Sequence, residues 1–196
     1  MKEVFSYSKV PLYCELAQNG TVVVFDTETT GLTSEDDVVQ IAYIVMNRGK
    51  VITEKSVYLK NQVPINGTQA QQVNGITDEY LATHGEEPDE VLLEFCELLN
   101  SIIEQEKKVL LVAHNLAFDA KMLNIMFAKY GIEGFPKNTI GCCTKEFVKA
   151  LRLPISRLPN NKLCTCIEAF KLNASNTHEA LADTHACAEL FKFLAL

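Results

Sequence analysis

No apolar run in the 196-residue chain approaches the roughly 20 residues needed to cross a bilayer, so no membrane association is expected. The opening residues Met1 to Tyr7 lack the basic head and apolar stretch of a secretory signal, which makes the cytoplasm the expected compartment. A disulfide framework is also missing. The seven cysteines (Cys14, Cys96, Cys142, Cys143, Cys164, Cys166, Cys187) are odd in number and scattered through segments that read as helix and strand. Neither Cys142-Cys143 nor Cys164-x-Cys166 has the internal spacing usual in tetrahedral zinc sites, so reduced, mostly buried thiols are expected. There is no internal repeat, low-complexity tract or linker. Positive charge is in short supply too: the net charge of −7 argues at first against a phosphate-bearing partner.

The distribution of that charge tells a different story. Between Lys137 and Lys171 stand seven basic residues (Lys137, Lys145, Lys149, Arg152, Arg157, Lys162, Lys171) and only Glu146 and Glu168 as acids, a net +5 that leaves −12 for the remainder. Such a segment in an acidic protein is either a phosphate-facing flank or a solvated helix face.

The length suits one well-buried domain, with residues 1–20, which show little periodicity, as an N-terminal extension and residues 21–196 as the domain. The β-branched run Thr21 to Phe25 reads as a buried strand ending at Asp26. Val38 to Asn47 and Val51 to Leu59 are two more strands, joined by the hairpin turn Arg48-Gly49-Lys50. Val109 to Ala113 and Thr139 to Cys142 complete five. Helical spacing predicts Pro88 to Gln105, about Leu116 to Tyr130, Lys145 to Leu151, Leu163 to Phe170 and Glu179 to Leu194. Strands first, then alternating strands and helices, indicate an α/β domain with a mixed sheet.

Within this frame several carboxylates occupy places that disfavour charge. Asp26 and Glu28, two apart on an extended chain, project from one face, separated by roughly 7 Å of backbone. Side by side at the end of an apolar strand they repel and lose hydration, costs a cation would offset; a frayed strand end in solvent is the plainer alternative. Asp119 shares a helix face with Met122, Leu123 and Met126, the stripe that packs on the sheet, although a first-turn acid favoured by the helix dipole has the same position. Asp183 is set among Ala180, Ala186, Cys187 and Leu190. Four acids converging on one place call for divalent cations, and hard oxygen ligands favour Mg²⁺ or Mn²⁺. His178, at the start of the last helix, is suited to taking a proton from water beside such ions. His114 reads as structural, and His84 and His185 have no supporting pattern.

These residues match a known pattern. Phe25-Asp26-Thr27-Glu28-Thr29-Thr30-Gly31-Leu32, His114-Asn115-Leu116-Ala117-Phe118-Asp119 and His178-Glu179-Ala180-Leu181-Ala182-Asp183 resemble, in order, the three motifs of the DnaQ-like, or DEDDh, 3′–5′ exonucleases. Val73-Asn74-Gly75-Ile76-Thr77-Asp78 is similar to a loop many members carry between the first two. The branch with a catalytic tyrosine is disfavoured, because the last tyrosine is Tyr130.

The resemblance implies a ribonuclease-H-like fold, a central mixed five-stranded sheet flanked by helices, and two Mg²⁺ or Mn²⁺ ions about 4 Å apart. Asp26, Glu28 and Asp183 would hold the ion nearest the attacking water, Asp26 would bridge to the second with Asp119 in support, and His178 would be general base. Thr27, Thr29, Thr30, Gly31 and Leu32, with Asn115, Phe118 and His178, would contact the 3′-terminal nucleotide; core packing is the other reading of Phe118. The expected partner is the 3′ end of nucleic acid, single-stranded DNA foremost, with a polymerase or other protein delivering it in view of the acidic residues 1–136. An RNA-trimming enzyme, a non-catalytic nucleic-acid-binding adaptor and a ribonuclease-H-type endonuclease are the competing readings.

Overall fold

The computed structural model describes residues 4–151, 158–174 and 179–196. Five strands, β1 (Thr21–Thr29), β2 (Val38–Asn47), β3 (Lys50–Tyr58), β4 (Val109–Ala113) and β5 (Thr139–Cys143), form one sheet in the order β3-β2-β1-β4-β5. β2 runs antiparallel to both β1 and β3, whereas β4 runs parallel to β1 and β5. The expected mixed sheet is therefore what forms. Arg48 and Gly49 turn the β2–β3 hairpin with φ of 50° and 73°, the double positive φ that matches the twist of paired strands.

Helices cover both faces of the sheet, which explains why β1, β2 and β4 are apolar nearly throughout instead of alternating. Val23 and Phe25 of β1 face α4 (Pro88–Glu106) and α5 (Leu116–Lys129), packing with Phe95, Leu99, Met122 and Leu123. Val22 and Val24 face the opposite layer, which holds Phe147 of α6 (Thr144–Ala150), Cys166 of α7 (Leu163–Ala169) and Phe191 of α8 (Ala180–Ala195). The α4 stripe behaves as its spacing predicts: Val91, Leu92, Phe95, Leu99 and Ile102 are buried.

The structure adds to the expected elements in three places. Within residues 1–20, Val10–Asn19 forms α1, whose Tyr13, Leu16 and Ala17 are buried in the same layer as α8. Its apolar positions fall at intervals too few to register as a period. β1 does not stop at Asp26 but continues to Thr29, because backbone pairing with β2 (Asp26 opposite Ala42, Glu28 opposite Gln40) is indifferent to side-chain polarity. Two helices, α2 (Gln69–Asn74) and α3 (Asp78–His84), are too short for periodicity to reveal. Both are started by threonine caps, Thr68 and Thr77, whose hydroxyls accept from Gln71 N and Tyr80 N.

Candidate active site

The alternation of β1 decides where its acids go. Asp26 and Glu28 have the parity of Val22 and Val24, so they project toward the α8 layer. There they meet Asp183, in the first turn of α8. One carboxylate oxygen from each of Asp26, Glu28 and Asp183 lies within 4.8 Å of the others. Asp183 is positioned by the start of its helix. Glu179 accepts from Ala182 N through one carboxylate oxygen (2.9 Å) and from Gln40 Nε2 through the other (3.0 Å). Gln40, buried on β2 opposite Glu28, thus braces α8 against the strand pair that carries the other two acids.

Asp119 does not join this trio. It sits on α5, the opposite layer, and its Oδ1 accepts from Thr27 Oγ1 at 2.8 Å, Thr27 having the parity of Val23 and Phe25. Three of the four expected acids thus come together from the α8 face of β1, and the fourth from the α5 face. Asp119 approaches the end of β1 from the other side of the sheet. It is nonetheless close enough that, after burial itself, it is the foremost influence raising the Asp26 carboxyl far above the ordinary range. Burial also raises Glu28 to about 7, opposed by a hydrogen bond from Asn74 Nδ2 (3.3 Å), and Asp119 to about 6, opposed by the Thr27 hydroxyl. His178 lies outside the described residues.

The acids separate two cavities. Glu28 lines one of about 480 Å³, with Thr27, Thr29, Thr30, Gly31, Leu32 and Phe118 around it, as the sequence groups them. Leu32 is 74% exposed at its rim. The turn that presents Leu32 closes on Asp36, which accepts from Thr30 Oγ1, Thr33 N and Thr33 Oγ1. A Cβ on Gly31 would stand 2.6 Å from the Asp36 carboxyl, so a larger residue there would push Asp36 off its bonds to Thr30 and Thr33. Asp26 and Asp183 line the second cavity, about 500 Å³, and Asn115 belongs to this one rather than the first.

His114 is structural. Its Nε2 donates to the carbonyl of Asn161 (2.9 Å), which leaves Nδ1 to accept the Thr144 hydroxyl (2.9 Å), and burial drops its pKa to about 4. Sequence reasoning missed Asn74, Gln40 and Glu179. Asn74 lay within a recognised loop, but nothing in its spacing announces a bond to Glu28. Gln40 and Glu179 meet only through tertiary packing.

The buried acids suit divalent cations. Among the described residues no lysine, arginine or histidine forms an ion pair with Asp26, Glu28 or Asp119. All-oxygen donors at this density suit a hard divalent cation.

Comparison with known proteins is consistent with this geometry. The RNase_T family model, described as an exonuclease, matches residues 23–191. A PolC-type DNA polymerase III of Bacillus cereus is 30% identical over 171 residues, 87% of this chain and 11% of that protein; its Bacillus subtilis counterpart is 29% identical over 178 residues, again 11% of that protein. The chain therefore spans about a ninth of the length of these relatives. Among solved structures, Escherichia coli Exonuclease I bound to a dT13 oligonucleotide superposes with a TM-score of 0.74 at 20% identity, over 88% of this chain and 40% of that one. Exonuclease X in complex with 5′-overhanging duplex DNA gives 0.67 at 22% identity, over 88% and 90%. With the family model covering nearly the whole chain and the sheet in its place, this protein belongs to the exonuclease family, within the DnaQ-like 3′–5′ exonuclease superfamily of ribonuclease-H-like fold.

Proposed function

We propose that the protein is a metal-dependent 3′–5′ exonuclease that releases nucleoside monophosphates from single-stranded DNA. The observation that carries this reading is the trio Asp26, Glu28 and Asp183, buried to different depths but brought within 4.8 Å at the junction of two cavities. Two divalent cations, Mg²⁺ or Mn²⁺, supply charge stabilisation of the attacking and leaving oxygens when bound. Asp26, Glu28, Asp183 and Asp119 are the residues that would hold them, Thr27 fixing the orientation of Asp119. His178 takes the proton from the attacking water. The Glu28 cavity seats the 3′-terminal nucleotide, Leu32 and Phe118 against its base and the Thr29–Gly31 backbone against its sugar. DNA is preferred as substrate because the relatives are DNA polymerases and the superposed neighbours hold DNA oligonucleotides. A polymerase is, on the same ground, the class of partner that would present a primer end.

The test uses 5′-labelled single- and double-stranded DNA and RNA with Mg²⁺, Mn²⁺ or EDTA. A one-nucleotide ladder from the 3′ end of single-stranded DNA is expected, dependent on metal and reduced about 100-fold or more in Asp183→Asn, since even residues that only support metal ligands cost 10–100-fold. Internal cuts, or an undiminished ladder in that variant, would falsify the assignment.

A further inference from the structure

The basic stretch 137–171 has no role in the site described so far, and the fold disperses it. Lys137 lines a groove beside Cys96 and Tyr130, and Lys149 pairs with Glu146. Arg152 and Arg157 lie outside the described residues. Lys145 and Lys162 are different: both line the second cavity, the one that shares Asp26 and Asp183 with the candidate active site. Lys145 is half-buried and Lys162 exposed, and among the described residues neither forms an ion pair.

We propose that Lys145 and Lys162 are a two-point phosphate clamp that holds the uncleaved single strand immediately 5′ of the scissile bond. The inference rests on the exonuclease reading above and adds the direction in which the strand leaves the site. An exonuclease seats one terminal nucleotide, and the rest of the polymer departs on the other side of the acids. Each internucleotide linkage carries one negative charge. No cationic side chain lines the Glu28 cavity, which adds Asp36 and has Lys121 only at its rim, on the Leu32 carbonyl (3.4 Å), so it does not favour a continuing backbone. The second cavity offers two ammonium groups together with the amides of Asn115, Asn160 and Asn161. Charge therefore assigns the two ends.

His114 sets the clamp. Its two ring nitrogens bond Thr144 and Asn161, the chain neighbours of Lys145 and Lys162. The backbone reinforces one side, where Lys145 N donates to the His114 carbonyl at 3.2 Å. On the other, Asn160 Oδ1 accepts from Lys162 N (2.9 Å) and Thr165 Oγ1 (2.7 Å). The first turn of α6 and the loop that leads into α7 are thus held on one half-buried imidazole, and with them the spacing of the lysines. His114 is a positioning residue here, without contact to substrate.

Two measurements test the clamp. Binding of a 5′-fluorescein oligothymidylate octamer is followed by anisotropy in EDTA across a KCl series. The slope of log K against log[KCl] should flatten by about 0.7 for each lysine removed in Lys145→Ala, Lys162→Ala and the double variant. Binding should weaken by the same factor on mixed-sequence octamers. Separately, kcat/KM for the octamer is divided by that for thymidine 5′-(4-nitrophenyl phosphate), which has no phosphate beyond the scissile one. This ratio should fall about tenfold in the double variant. It should keep its wild-type value in Lys50→Ala, which removes an equal charge from the edge strand β3. An unchanged slope, or an equal loss on both substrates, overturns the clamp. If wild type turns over neither substrate while the slope flattens as stated, the exonuclease reading fails and the clamp stands as a strand-binding site.

Discussion

Charge on Glu28 and Asp119 is held down by burial, and His114 is held neutral by the same force acting on the opposite sign. The two effects oppose each other in the stability of the metal-free protein. Raised carboxyls lose stability as pH climbs through the window from about 4 to about 7. A lowered imidazole gains it, because between its folded pKa of about 4 and its ordinary 6.5 the unfolded chain binds the extra proton. Subtracting a variant separates them. In His114→Gln the amide keeps a donor for Asn161 and an acceptor for Thr144 but does not titrate. The wild type minus variant difference in unfolding free energy should be flat above pH 7 and shrink as pH falls from 6.5 toward 4. The total change is at most a few kcal/mol, one pKa unit being about 1.4 kcal/mol. A difference independent of pH, measured by urea denaturation, would show that the imidazole is not buried neutral.

At the scale of elements, β1 does the sorting. One strand sends Asp26 and Glu28 to the α8 layer and Thr27 to the α5 layer, so a single run of pairing with β2 delivers both halves of the site. The inward placement of Asp119 and Asp183 was legible from helical spacing, since Met122, Leu123, Met126, Ala186, Cys187 and Leu190 are all buried around them. Short helices were not legible: α2 and α3 are stopped before two full turns of pattern accumulate, and only their threonine caps mark them. α1 was not legible either, and it makes a test of its own. Leu16 is 6% exposed against the α8 layer. Leu16→Ala should therefore cost about 2–5 kcal/mol, as a core truncation does. A loss near zero on chemical denaturation would return residues 10–19 to the status of an appended segment.

The whole molecule carries −7 and yet gathers acids at the end of β1, so cations should stabilise it out of proportion to surface binding. At about 100 times its dissociation constant, Mg²⁺ or Mn²⁺ contributes about 2.7 kcal/mol to the folded state, or about 5 to 10 °C in Tm for a domain of this size. The shift should be lost in Asp26→Asn/Asp183→Asn, whose folding is checked by its cooperative transition. An equal shift in that variant would place the ions elsewhere. No helix among the described residues is long and apolar enough to cross a membrane.

Sequence alone determined the chemistry of the parts. Periodicity places a carboxylate on an inward face without reference to any partner, because strand and helix geometry are local. It determined the mixed sheet for the same reason, as apolar runs and turns carry their own lengths. Which acids share a site was a tertiary decision. Asp26, Glu28 and Asp183 meet, and Asp119 stands across the sheet bonded to Thr27, because the two helix layers lie on opposite faces of β1. The basic segment was decided the same way. Composition could count its lysines, but only the packing of the α6 start and the loop before α7 on His114 brings Lys145 and Lys162, out of that stretch, to the wall of the cavity that Asp26 and Asp183 share.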